Sequence, residues 1–309
     1  MSRLAEENAG LATVGFVSWR ALFGALVVAG FIGLRVARGR RLGGWGVLSP
    51  RGRASLAVVT IAGVALNLAI FTAFQRVTIA LALLVFYTYP ALVTVVVVAV
   101  ERRRPDRVQL AALTMATIGM AIVVVGGIDG TTGLTFDLGG LLLAFVAATM
   151  QVVFILVSRR GYSALPTDEA SFVVLAGGFL GFLAFAVATG QAGTLAQPFA
   201  DPSGWPYLVI AGVFGAGIPT TLYLVGIRWI GGIRAGILAL IEPVVGAVLA
   251  AVLLAETLRP VQLIGAAFVL VAALLLQRER ASPADGTVDA EEIASELGDA
   301  SATGSATIV

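Results

Sequence analysis

The sequence predicts an all-α polytopic membrane protein with nine spans, and three observations carry that prediction. Hydrophobic residues fill 59% of the 309 positions and charged residues 12%, against about 25% charged in an ordinary soluble domain. So much apolar surface needs lipid as its solvent. Nine apolar runs also have the ~20 residues that cross a bilayer core: about 14–34, 54–74, 78–100, 108–127, 138–157, 170–190, 206–226, 235–255 and 261–277. Finally, the charges are sorted between the loops, as described below.

The first run is too long for the core of a signal peptide. It follows Glu6 and Glu7 and ends in arginines instead of a small-residue cleavage site, so it reads as a span. All nine runs are apolar around their whole circumference, as helices in lipid are, and the alternation of a membrane β-barrel is absent. Pro90, Pro219 and Pro243 interrupt the third, seventh and eighth runs. Each proline removes a backbone donor and frees a carbonyl one turn back, so helix breaks are expected there. Small residues recur four apart at Ala21, Ala25, Ala29 and Gly33, at Gly177 and Gly181, and at Gly246 and Ala250, a spacing that lets helices approach closely. From Arg278 onward the chain turns acidic and rich in Ala, Ser and Gly, which predicts a solvated, disordered tail over 278–309.

All twenty basic residues are arginines, and sixteen fall in loops on one side: Arg35–Arg53, Arg102–Arg107, Arg159–Arg160, Arg228–Arg234 and Arg278–Arg280. The opposite side has Arg3, Arg76 and Arg259, while Arg20 lies inside the first run. Arginines concentrate in cytoplasmic loops, so the C-terminus is expected in the cytoplasm and the N-terminus outside. The chain has no Cys and no His. That excludes disulfides, thiolate metal sites and imidazole catalysis, and no metal or cofactor is expected. Without lysine there is no phosphate-binding G-x-x-x-x-G-K-[ST] loop, so ATP is not the energy source.

Two stretches repeat one another. Arg76, Pro90, Glu101, Pro105 and the pair Gln109-Leu110 recur in order as Arg228, Pro243, Glu256, Pro260 and Gln262-Leu263. The arginine pattern puts the two copies in opposite orientations, and inverted repeats of this kind place a site at their interface in secondary transporters. Glu101 and Glu256 themselves sit beside arginine at span ends and read as interfacial.

The stretch IEPVVGAVLAAVLLAETLRPVQLIGAAFVLVAALLL resembles the C-terminal end of an EamA domain of the drug/metabolite transporter superfamily. TYPALVTVVVVAVE resembles its counterpart in the first domain, and SWRALFGALVV is similar to the family's second helix. The resemblance runs from about Gly15 to Gln277 and implies two five-helix inverted repeats. It divides the chain into a first repeat (1–127), a second (128–277) and the tail. The first repeat has four runs where the family has five. The family's first helix is therefore expected upstream of Met1, a genuine nine-span protein being the other option.

Polar residues deep in a span are costly and point to function. Glu242 is the one carboxylate far from a span end, and the repeat alignment sets it opposite Tyr89. The seventh run carries Thr220 and Tyr223, matched in the first repeat by Asn67 and Phe71, and Gln151 is a lone amide in the fifth. By resemblance these residues line a central cavity. Gln151 reads equally well as a bond between helices, and Tyr87 as a packing anchor. For Glu242 three roles stand: binding an amine, carrying a proton, or pairing with Arg20. Arg20 itself reads as structural, snorkelling outward.

The expectation is a multi-pass transporter of the cell membrane that exports or exchanges a small metabolite or drug-like molecule by alternating access, with proton coupling as an option. Its partners are that substrate and the bilayer, not nucleic acid, and a homodimer is compatible with the reading. The alternatives are a truncated, non-transporting relative and, further off, an intramembrane enzyme.

Overall fold

The computed structural model describes residues 12–102, 105–126, 137–245, 248 and 259–278. The acidic tail, Glu256 and most of the second half of the eighth run lie outside the described residues, as does the side chain of Glu101. The helices, in chain order, are α1 (Thr13–Ala37), α2 (Pro50–Phe74), α3 (Ile79–Phe86), α4 (Tyr89–Glu101), α5 (Arg107–Gly126), α6 (Leu138–Arg160), α7 (Thr167–Ala188), α8 (Trp205–Gly212), α9 (Ile218–Ala239) and α10 (Pro260–Arg278). A π-helical turn, Val213–Gly217, joins α8 to α9.

Among the described residues seven helices are long and apolar enough to cross a membrane, and Pro260–Leu276 is a shorter apolar helix. The ninth run is that shorter helix, and the second half of the eighth lies mostly outside the described residues, its start following the seventh run within the stretch Pro202–Ala239. Gly231 breaks its direction, with φ 80° and ψ 164° inside α9. That backbone region is essentially open to glycine alone. The chain then turns at Leu240–Ile241 and resumes as helix at Glu242.

The third run breaks in the same way. α3 ends at Phe86, the chain turns at Tyr87–Thr88, and α4 starts at Tyr89 with Pro90 in its first turn. Thus Tyr89-Pro90 and Glu242-Pro243 each open a helix after a two-residue turn. At Pro219 the structure moves the break. The proline sits in the first turn of α9, where its missing N–H costs little, and the π turn just before it takes up the irregularity.

The interior is small and the exterior large. Buried positions include Ala73, Ala112, Ala144, Ala147, Ala148 and Ala272, whereas Phe31, Ile61, Leu180, Phe214 and Leu222 are exposed. Water would penalise such a surface; lipid does not, and in lipid helices associate through small residues that let backbones meet. α1 packs on α7, α2 on α6 and α7, and α9 on α4 and α6. α5 and α10 meet backbone to backbone. A Cβ at Gly119 would stand 2.6 Å from the carbonyl oxygen of Gly265, and one at Gly265 would stand 2.6 Å from that of Gly119. Neither backbone has room to retreat, so Gly119→Ala is expected to destabilise the bundle by about 1–3 kcal/mol, the usual cost of overpacking. A lowered midpoint of thermal unfolding in detergent would register it, and an unchanged midpoint would contradict this packing.

The repeated Gln-Leu pairs turn out to be helix starts. Asp106 caps α5 by accepting the Gln109 amide at 2.7 Å, and the Gln262 side chain accepts the Arg259 amide at 3.0 Å ahead of α10. The two bonds are opposite halves of a capping box, and only the second uses a glutamine side chain, which accounts for glutamine at 262.

Candidate functional site

A cavity of about 170 Å³ lies between α1, α2, α6, α7 and the π turn with the start of α9. Its walls are mostly apolar (Leu66, Phe154, Leu175 and Phe182 among them), with glycine or alanine where helices come closest. Five polar side chains enter it: Arg20, Asn67, Gln151, Thr220 and Tyr223.

Each is held by local chemistry. The Asn67 amide donates to the Gly63 carbonyl one turn back at 2.8 Å, which aims its oxygen sideways at α1. Arg20 Nη2 donates to that oxygen at 2.6 Å. Arg20 Nη1 donates at 3.4 Å to the carbonyl of Gly215 in the π turn. The guanidinium also lies over the Phe71 ring, 5.6 Å from its centroid. Its Nε is buried without a hydrogen-bond partner. Such a group normally finds one, and the space beside it is the cavity.

On the opposite wall Gln151 Nε2 donates to the Tyr223 hydroxyl at 3.0 Å, while Phe154 stacks on the Tyr223 ring. Tyr223 pairs in turn with Tyr89, whose hydroxyl also donates to the Gly236 carbonyl at 3.4 Å. Glu242 lies beyond, at the start of its helix, against the Tyr87 phenol and with exposed surface of its own. Arg20 and Glu242 stand in each other's field, yet among the described residues no ion pair joins them.

The structure therefore brings Asn67, Gln151, Thr220 and Tyr223 into one cavity and sets Phe71 behind Arg20. Tyr89 and Glu242 do not line that cavity; they connect to it through Tyr223. One expectation needs correction. Arg20 does not snorkel outward, because Asn67 and the Gly215 carbonyl offer acceptors inside the bundle that replace water. Tyr87 is buried in the core against Phe86 and Tyr89, as a packing anchor would be, and it also faces Glu242. A signal for Arg20 was present in the sequence: a charge two turns inside a span needs a partner, and Asn67 was a polar residue on a neighbouring span.

A multi-pass helical bundle with an apolar belt defines a polytopic membrane protein, here with a cavity between its helices. Comparison with known proteins agrees. The EamA-like transporter family model matches residues 3–125 and 138–278, and the chain belongs to that family. It is 28% identical over 273 residues to an uncharacterized transporter of Archaeoglobus fulgidus, a match that covers 88% of this chain and 90% of the relative. A solved crystal structure at 21% identity superposes with a TM-score of 0.66 over 89% of this chain and 91% of that one, which shows a common fold.

Proposed function

We propose that this chain is a secondary-active transporter that carries a small dipolar metabolite across the cell membrane by alternating access. The observation that carries the reading is the cavity itself, with the Arg20 guanidinium fixed at one pole and unsatisfied at Nε. The Glu242 carboxylate stands outside the cavity, past Tyr223. A substrate with an anionic or strongly accepting group takes the Arg20 end, and one with an amine or hydroxyl donor reaches past Tyr223 toward Glu242. Opposite charges at the two ends of that path offset one another, so ions of a single sign gain little there. At about 170 Å³ the space lies below the roughly 300–1,000 Å³ of drug-sized pockets, which favours a compact metabolite over a drug.

The mechanism rests on two inverted repeats with nine spans, the arginine-rich side being cytoplasmic. The paired breaks before Tyr89-Pro90 and Glu242-Pro243 support this, each putting an irregular turn at mid-bundle where such transporters keep their sites. The α5–α10 crossing, at which two glycines face one another, supplies a contact about which the repeats rock.

The test is a screen on the purified chain for ligands that raise its melting temperature. A ligand at a hundred times its Kd adds about 2.7 kcal/mol. Counterflow of each hit is then measured in proteoliposomes. Stabilisation and saturable exchange by small zwitterions is the expected result. Binding confined to large hydrophobic cations, or no exchange of any ligand that binds, would refute the reading.

A further inference from the structure

We infer that Arg35, Asp168 and Glu169 form the gate that closes the cavity on its arginine-rich side, an inference that rests on the alternating-access reading. Arg35 lies in the last turn of α1, while Asp168 and Glu169 lie in the first turn of α7. The guanidinium forks between them. Nη1 donates to Asp168 Oδ1 at 2.8 Å and Nη2 to Glu169 Oε1 at 2.8 Å. Glu169 also accepts the backbone amides of Gly43 at 3.0 Å and Gly44 at 2.9 Å, so the loop that leaves α1 is drawn onto α7 as well. The three charged side chains keep only 18%, 8% and 9% of their surface exposed.

Position gives the cluster its role. α1 and α7 are both walls of the cavity, through Ala21 on one and Leu175 and Gly178 on the other. Glu169 is six residues from Leu175, or about 9 Å along the helix. A path from the cavity to the arginine-rich side between α1 and α7 passes through this cluster. At the far end the same helix is held by neutral groups: the Ala12 amide donates to Gln197 Oε1 at 2.8 Å and the Trp19 indole to the Leu195 carbonyl at 3.1 Å. Among the described residues the two ends of α1 therefore differ in kind, charged contacts at one and neutral contacts at the other.

The energetics suit a latch that must release. A buried ion pair recovers in Coulomb attraction little more than it loses in hydration, so it fixes geometry at small net stability. Here the account is left incomplete, because Asp168 Oδ2 and Arg35 Nε are buried with no hydrogen-bond partner. Water admitted on opening satisfies both, which lowers the cost of the open state.

The absence of cysteine from the chain makes the test clean. Gly178 lines the cavity, and a Cβ there would meet the Phe182 ring at 3.9 Å, an ordinary contact, so Gly178→Cys serves as reporter, labelled in oriented vesicles by a membrane-impermeant maleimide from either side. Arg35→Gln is expected to raise labelling from the arginine-rich side at least about fivefold and to lower it from the other, as a shift between two populations requires. Arg35→Lys, which keeps the charge but loses the fork, should give a smaller rise. The double variant R35E/D168R should bring labelling back toward that of the parent. Parental labelling in both Arg35→Gln and Arg35→Lys, with only the melting temperature lowered, makes the cluster a static staple and overturns the gate. Because labelling needs no substrate, a failed search for a transported ligand leaves this result standing and counts against the transport reading alone.

Discussion

Glu242→Gln is expected to leave the chain folded and to cut flux driven by an ion gradient more than about tenfold. Glutamine keeps the shape of the side chain and still accepts from the Tyr87 phenol that glutamate faces, so the helix start and its turn should survive. What it loses is the charge. A hydrogen bond to a charged group contributes about 1.5–3 kcal/mol, so an amine-bearing substrate should bind roughly 10- to 150-fold more weakly. If Glu242 also carries the coupling ion, a second signature appears: accumulation against a gradient disappears while substrate-for-substrate counterflow at saturating concentration persists. Measuring both in the same proteoliposomes separates the roles. Parental values for both would remove Glu242 from the mechanism, and its place next to Tyr87 and Tyr89 would then be a matter of helix packing.

Arg20 should matter as much, in a different way. Arg20→Gln removes the donor to Asn67 and the cation at one pole of the cavity, leaving Glu242 without its counter-charge. Binding measured by calorimetry should fall at least about tenfold, since a charge-assisted bond is lost, and the melting temperature should fall as well because Asn67 Oδ1 keeps no partner. Arg20→Lys distinguishes charge from geometry. It retains the cation but cannot reach Asn67 and the Gly215 carbonyl together while presenting a further N–H to a ligand. Recovery of stability without recovery of binding is the expected pattern. If lysine restores both, the guanidinium fork has no role in recognition.

The two variants also report on one another. Arg20 and Glu242 share a field without touching, so removing both charges should disturb folding less than removing Arg20 alone. Binding should not return, because neither pole is then available to a ligand.

Several parts of this architecture were legible in the sequence because the bilayer penalises deviations so heavily. A segment in lipid has to satisfy its own backbone, so the apolar runs within the described residues translated into helices. A polar side chain in a span is costly enough to be rare, and for that reason Asn67, Gln151, Thr220, Tyr223 and Glu242 stood out before any contact was known. Pro90 and Pro243 announced the two breaks. Gly231 did not, since glycine is common in such chains and only its backbone angles single it out.

The sequence by itself determined that the chain is a bundle of membrane-crossing helices, roughly where each begins and breaks, and which few polar residues lie at depth. Only the tertiary structure decided where those residues point. Arg20 turns inward because α2 and the π turn present acceptors to it, and Arg35 meets Asp168 and Glu169 across more than 130 residues of chain. The reason is physical: hydropathy acts along one segment and can be read from it, whereas the direction of a charge depends on what other segments place within about 3 Å of it.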